Sequence, residues 1–197
     1  LLQVLEDWSV IIFTIIVSTT VHQKLALYVW IPSYIVAVTV IGARHRSLRA
    51  NNHQATHGIL AKNKIINYAL ATMPAAWLVL ENFSGYNCMH NSAEHGHHPN
   101  LGTPMDIDYT DLVSQGLYGQ GIANGHAKKY VFSMPLRTLG HLRIFLRNQL
   151  LSPFESPWER TFRLLYVALV YLFFVKIGYG QILLLYWIVP LLTTANW

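Results

Sequence analysis

Two stretches without a charged side chain, Trp8 to Gln23 and Leu25 to Ala43, constrain this chain more than any other feature. The second is 19 residues long, close to the ~20 apolar residues that carry a helix across the hydrocarbon core of a bilayer. The short segment Val21 to Lys24 separates the two, which predicts an antiparallel hairpin with Glu6 and Asp7 on the same side as Arg44. Pro32 lies inside the second stretch and predicts a kink, because proline removes one helical hydrogen bond. Near the other end, Thr161 to Val175 and Ile177 to Trp197 form a second apolar pair with a break at Gly178 and Gly180. The expected fold class is an all-α integral membrane protein, multi-pass, with four transmembrane helices in two hairpins.

Composition supports that expectation. Of 197 residues 53% are hydrophobic and 12% charged, against roughly 25% charge in soluble domains, which excludes a disordered tail and argues against a soluble domain. Twelve of the 14 Lys and Arg residues fall between Arg44 and Arg163, and positive charge gathers on the cytoplasmic side of membrane proteins. Residues 44–160 are therefore expected to form a cytoplasmic cap with interfacial segments, within one domain over 1–197. The same pattern argues against nucleic acid as a partner, since the basic residues accompany apolar segments rather than an aromatic-interleaved patch. The single cysteine, Cys88, excludes an internal disulfide.

A third apolar stretch, Ile65 to Leu80, holds 16 uncharged residues and Pro74. It is short for a span and is expected to lie within or along the cytoplasmic leaflet. Asn100 to Pro157, punctuated at first by glycine and proline, predicts loops and short amphipathic helices.

Ten histidines occur, six of them in two clusters on either side of Ile65 to Leu80. The first is His53-Gln-Ala-Thr-His57, an i, i+4 pair that projects two imidazoles from one helical face. The second holds His90, His95, His97 and His98. On a continuous helix His90 and His97 would lie within ~20° of each other and His98 ~80° away. His97 and His98 are the first choice as ligands there, with His90 and His95 competing for the third place and Gly96 as a helix breaker. The isolated His22, His45, His126 and His141 are expected to be solvated. Desolvating six imidazoles beside a membrane without a ligand would be costly, so the clusters point to metal. Gln54 stands where a zinc protease carries its glutamate base, and six histidines exceed the needs of one zinc. Two non-haem irons suit so many imidazoles better, and haem is a poor fit because the clusters lie outside the apolar spans.

With these boxes the chain resembles the membrane fatty acid desaturase and hydroxylase superfamily, whose members carry His-x(3,4)-His and His-x(2,3)-His-His boxes. His53-x-x-x-His57 followed by Gly58 to Lys64 is similar to the first box. Tyr86-x-x-x-His90 and His97-His98-Pro-Asn-Leu-Gly-Thr-Pro are similar to the second, except that six residues separate His90 from His97. Glu94-His95-Gly96-His97-His98 is similar in part to the box of membrane alkane hydroxylases. The resemblance implies a mushroom-shaped helical protein with two non-haem irons held by His53, His57, His90, His95, His97 and His98. It also implies a third His box beyond Trp197, so the sequence is expected to be truncated at its C-terminus.

The implied activity is an O2-dependent di-iron oxidoreductase that desaturates or hydroxylates a lipid-soluble hydrocarbon chain, with fatty acyl groups foremost. Alkane or carotenoid hydroxylation or ketolation, and a non-catalytic membrane subunit with an eroded metal site, are the alternatives. The implied partners are a membrane lipid or other apolar substrate, O2, and an electron donor such as ferredoxin or cytochrome b5. Lys128-Lys129 and Arg137 to Arg147 either serve that donor or reflect the positive-inside bias. Asp106, Asp108 and Asp111 either orient ligand imidazoles or are solvated loop acids. Trp77, Phe83, Tyr86, Tyr109 and Tyr118 either line a substrate tunnel or pack the core.

Overall fold

The apolar stretches form helices, and their lengths decide where the polar ends come to lie. A computed structural model describes residues 2–94, 96–114, 118, 133, 142 and 145–195, and every regular element among these is helical. Outside the described residues lie His95, His126, His141, Lys128-Lys129 and Arg143, as do the side chains of Asp111 and Arg147.

Helices α1 (Leu2–Lys24) and α2 (Leu27–Thr56) are joined by Leu25 and Ala26 and run antiparallel. Arg44 on α2 donates to Asp7 on α1 at 3.2 Å, and Ser47 donates to the other oxygen of the same carboxylate at 2.7 Å. Among the described residues these two are the helices long and apolar enough to cross a membrane, and only 22% of each apolar window is buried within the fold. A core helix of a soluble protein would hide most of that surface; here Phe13, Ile16, Ile35 and Val36 face outward. At 30 residues, α2 is ~45 Å long against a hydrocarbon core of ~30 Å. Its last turns therefore project beyond the apolar stretch and carry His53 and His57 with them. The helix is continuous through Pro32, which sits in its second turn and frees a single carbonyl, that of Tyr28.

The third apolar stretch does not form one helix. Helix α3 (Lys64–Thr72) covers nine residues and starts where the Asn63 side chain accepts from the amides of Ile65 and Ile66. The chain turns at Pro74, makes a 3-10 turn over Ala76–Val79, and leaves through Leu80 in the left-handed region at φ 62°. This irregular backbone is buried, so its carbonyls need partners, and side chains of the long helices provide them. Trp8 donates to Pro74, Tyr166 to Met73, and both Tyr171 and Trp187 to Leu78.

Helix α4 (Phe83–Asn91) follows, then α5 (Ile107–Ser114), a π-helical turn at Phe145–Leu150, α6 (Pro157–Lys176) and α7 (Gly180–Thr193). The break between α6 and α7 is built as the glycines predict. Gly178 takes φ 89°, its amide bonds to Val175, and the amide of Tyr179 bonds to Phe174, which closes the helix end. Helix α7 widens into a π turn at Leu184–Ile188 just before Pro190, a means of accommodating proline inside a helix. Among the described residues α7 is shorter than the expected fourth span. Helix α6 opens with Glu159, Arg160 and Arg163, too charged to match α1 and α2 as an apolar crossing. The core joins Ile11, Ile41, Leu48, Leu78, Val79, Trp187 and Leu191 from α1, α2, the 3-10 turn and α7.

Candidate metal centre

The end of α2 presents His53 and His57 one helical turn apart, with ring centroids 4.8 Å from each other. Asn52 and Asn67 fix this end. The Asn52 side chain donates to the carbonyl of Asn82 at 3.2 Å, tying α2 to the start of α4. Asn67 of α3 donates to Ala55 and accepts from the amides of Leu60 and Ala61. Asn51 and Asn52 are buried.

Helix α4 brings His90 to the same place. Its N-terminus is capped by Asn82, whose side chain accepts from Gly85 at 2.9 Å. Glu159 of α6 reinforces the cap, accepting from the amides of Phe83 and Ser84 and from the Trp77 indole at 2.7, 2.8 and 3.1 Å. A carboxylate at a helix N-terminus meets both the free N–H groups and the positive end of the dipole. One turn further along α6, Arg163 is fully buried and grips Glu155 with two nitrogens at 2.8 and 2.7 Å. It also donates to the carbonyl of Leu80.

Beyond Asn91 the chain leaves the helix, and the spacing drawn from a continuous helix does not apply. The amide of Ser92 still bonds to Cys88 four residues back, but the carbonyls of Met89 and His90 accept from His97 and His98 at 2.9 and 3.0 Å. In a continuous helix residues 93 and 94 would make those bonds. His98 consequently lies nearest to His90, with centroids 4.3 Å apart, while His97 is at 6.0 Å. The expected order of the two is reversed.

The ligand atoms of His53, His57, His90 and His98 all lie within 4.8 Å of one another, and the Nε2 atoms of His57 and His90 are 3.3 Å apart. Burial, followed by the charges of His98, His53, His57 and His97, pushes the His90 imidazole down to about 4. Burial and then the charges of His57 and His98 also lower His53. Neutral imidazoles are the form that offers a lone pair to a metal. Imidazole nitrogens gathered this closely fit a nitrogen-bound transition metal such as iron.

His97 stands at the edge of the group. Its Nδ1 meets Asp106 at 2.9 Å and the exposed Asp108 at 3.5 Å, and hydrogen bonding to Asp106 raises its affinity for a proton. Asp106 is buried and also accepts from the amides of Gly102, Asp108 and Tyr109, closing the turn before α5. Burial pushes Asp106 upward, but the hydrogen bonds from His97 and from the amides of Gly102 and Tyr109 outweigh it and hold the carboxyl down to about 2. A carboxylate on Nδ1 directs Nε2 outward as the available ligand atom.

Of the other residues singled out by sequence, Tyr86 stacks on His90 with centroids 5.4 Å apart, whereas Trp77 and Phe83 pack edge-on against Tyr68 and Tyr109 against Tyr118. His22 is exposed beside Trp30. His45, expected in solvent, is fully buried against Trp187, because α7 closes over that face of α2. Sequence reading missed Asn52, Asn82, Glu159 and Arg163. The one available signal was the polar pair Glu159 and Arg163, four residues apart at the mouth of an apolar helix.

The family model for fatty acid desaturases matches residues 26–197. The dihydrorhizobitoxine desaturase of Bradyrhizobium elkanii is 31% identical over 175 residues, covering 82% of this chain and 48% of that protein. The chain thus spans about half the length of the curated relative it matches. No solved structure matches it.

Proposed function

This chain belongs to the fatty acid desaturase family, and from that premise we propose that it is part of a membrane di-iron oxidoreductase that desaturates or hydroxylates a lipid-soluble hydrocarbon chain. The observation that carries the reading is the convergence of His53 and His57 from α2 with His90 and His98 from the α4 region. These four would hold iron, with His97, oriented by Asp106, offering Nε2 at the edge of the same group. Irons bound there would supply the reduction of O2 and the hydrogen abstraction that protein side chains cannot perform alone.

The chain's own residues contribute position. Glu159 and Asn82 hold the start of α4, Asn52 holds the end of α2 to it, and the two stretches bring their imidazoles to one point. Tyr86 walls one side of the group by stacking on His90. An apolar cleft of about 290 Å³ between α1, α6 and α7, lined among others by Trp8, Ile11, Val170, Phe174 and Leu183, is suited to a hydrocarbon chain. The relative named above is by name a dihydrorhizobitoxine desaturase, which favours a double bond over an alcohol as product, and the family's description favours fatty acyl groups as substrates. We place α1 and α2 across the bilayer, α6 and α7 as a second hairpin beside them, and residues 44–160 as a cap on the cytoplasmic face. A separate donor such as ferredoxin or cytochrome b5 would deliver electrons.

Purified full-length protein should contain about two irons per chain, a stoichiometry suited to so many imidazoles. With a reductase and donor it should consume O2 in the presence of fatty acyl substrates. Less than one iron per chain, with no donor-driven oxygen uptake, would overturn the reading.

A further inference from the structure

We infer that the second histidine box is interrupted by a four-residue insertion between Ser92 and His97, and that Gly96 is the positioning residue that returns the chain to the end of α4. The inference rests on the metal-centre reading above and goes beyond it.

The backbone hydrogen bonds define the loop. Up to Ser92 each amide bonds four residues back, and the next two carbonyls in line, those of Met89 and His90, are taken by His97 and His98. Both bonds skip four residues, so the helical hydrogen-bond register resumes as though Ser92 were followed directly by His97. In that register His97 stands three places and His98 four places after His90. Side chains three and four apart share a helix face, and the centroid separations of 6.0 and 4.3 Å agree. The box that reads His90-x6-His97-His98 in sequence therefore acts as His90-x2-His-His in space. Ala93 and Glu94 lie exposed on the excursion, whereas Gly96 is buried at its base.

The closure requires glycine. The amide of Gly96 bonds to the carbonyl of Ser92 at 2.7 Å. A Cβ at position 96 would collide with that same carbonyl oxygen, and would meet Ser92 N at 2.6 Å and Asn91 C at 2.8 Å. All three are backbone atoms, which no rotamer change can move aside. Any side chain at 96 must push the returning strand away from α4, and with it His97 and His98 together.

The test compares four full-length proteins in detergent: wild type, His90→Ala, Gly96→Ala, and a deletion of residues 93–96 that joins Ser92 to His97. Iron affinity is read by competition with a chromogenic chelator, and the helical circular dichroism and melting of each apo-protein are recorded beside it. The deletion also removes His95, which the His90-x2-His97-His98 register leaves without a place in the box, and it is expected to fold and to keep the wild-type affinity. Gly96→Ala is expected to weaken it by about 10- to 100-fold, as displacement of supporting structure does at metal sites, with apo-protein helicity unchanged. A wild type without iron, or a His90→Ala variant that binds as well as wild type, would refute the metal centre itself. With iron bound by wild type and lost from His90→Ala, the loop alone is refuted by any of three results. These are a deletion that fails to fold, a deletion that loses iron, or Gly96→Ala with undiminished affinity. Where Gly96→Ala itself loses apo-protein helicity, the deletion decides.

Discussion

The two stretches that supply the imidazoles are built differently. Helix α2 offers His53 from the last turn of an unbroken 30-residue helix and His57 from the residue that caps it, so its geometry is local and regular. The α4 stretch offers His90 from the last turn of a nine-residue helix and His97 and His98 from beyond its end, so its geometry depends on what braces it. The braces are long-range: Glu159 reaches the amides of Phe83 and Ser84 from 76 and 75 residues away, and Asn52 reaches Asn82 from 30. Precision on one side comes from a helix, and on the other from a scaffold.

The comparison breaks first at the ligands. His57→Ala and His90→Ala remove one imidazole from each stretch, and in the proposed centre each should lower iron affinity by more than the ~10- to 100-fold that loss of an orienting partner costs. Elemental analysis of the purified full-length variants reads this directly, and loss from one variant only would mean that the stretches do not share a site.

Glu159→Ala is next, because it leaves three donors at the head of α4 without their acceptor. At about 1–3 kcal/mol for each buried orphan, the melting temperature should fall sharply, with Glu159→Gln recovering part of the loss. An unchanged melting temperature would show that α4 needs no brace.

These contrasts also explain what the sequence could reveal. His53 and His57 were legible because an i, i+4 pair needs only its own helix, and Gly178 because a positive φ at a helix end favours glycine. The α1 and α2 hairpin was legible because two long uncharged stretches with a short polar segment between them favour two long apolar helices. The placement of His97 and His98 was not, because it rests on hydrogen bonds between residues eight apart that no periodicity records. Glu159 and Arg163 read as the polar start of an apolar helix, and nothing near them in sequence says that both are fully buried. His45 was misread for the same reason, since the Trp187 that covers it arrives from the far end of the chain.

Smaller effects sharpen the contrast within the second stretch. Asp106→Ala should weaken iron binding by about 10- to 100-fold, because His97 loses its orienting carboxylate. Asp108→Ala, at an exposed residue 3.5 Å from the same ring, should have much less effect in the same chelator titration. Equal effects would mean that His97 is held by charge alone. Smallest of all, Asn63→Ala removes the side-chain cap of α3 and should cost about 1 kcal/mol in thermal unfolding while leaving iron content intact. A fall in iron content would extend the scaffold to α3.

The most direct measurement is a structure of the full-length protein loaded with iron, with the metal located by its anomalous or electrostatic-potential density. Metal density in contact with His53 or His57 on one side and His90 or His98 on the other is the predicted result. Density touching only one of the two stretches, or imidazoles turned apart around no shared centre, would contradict it.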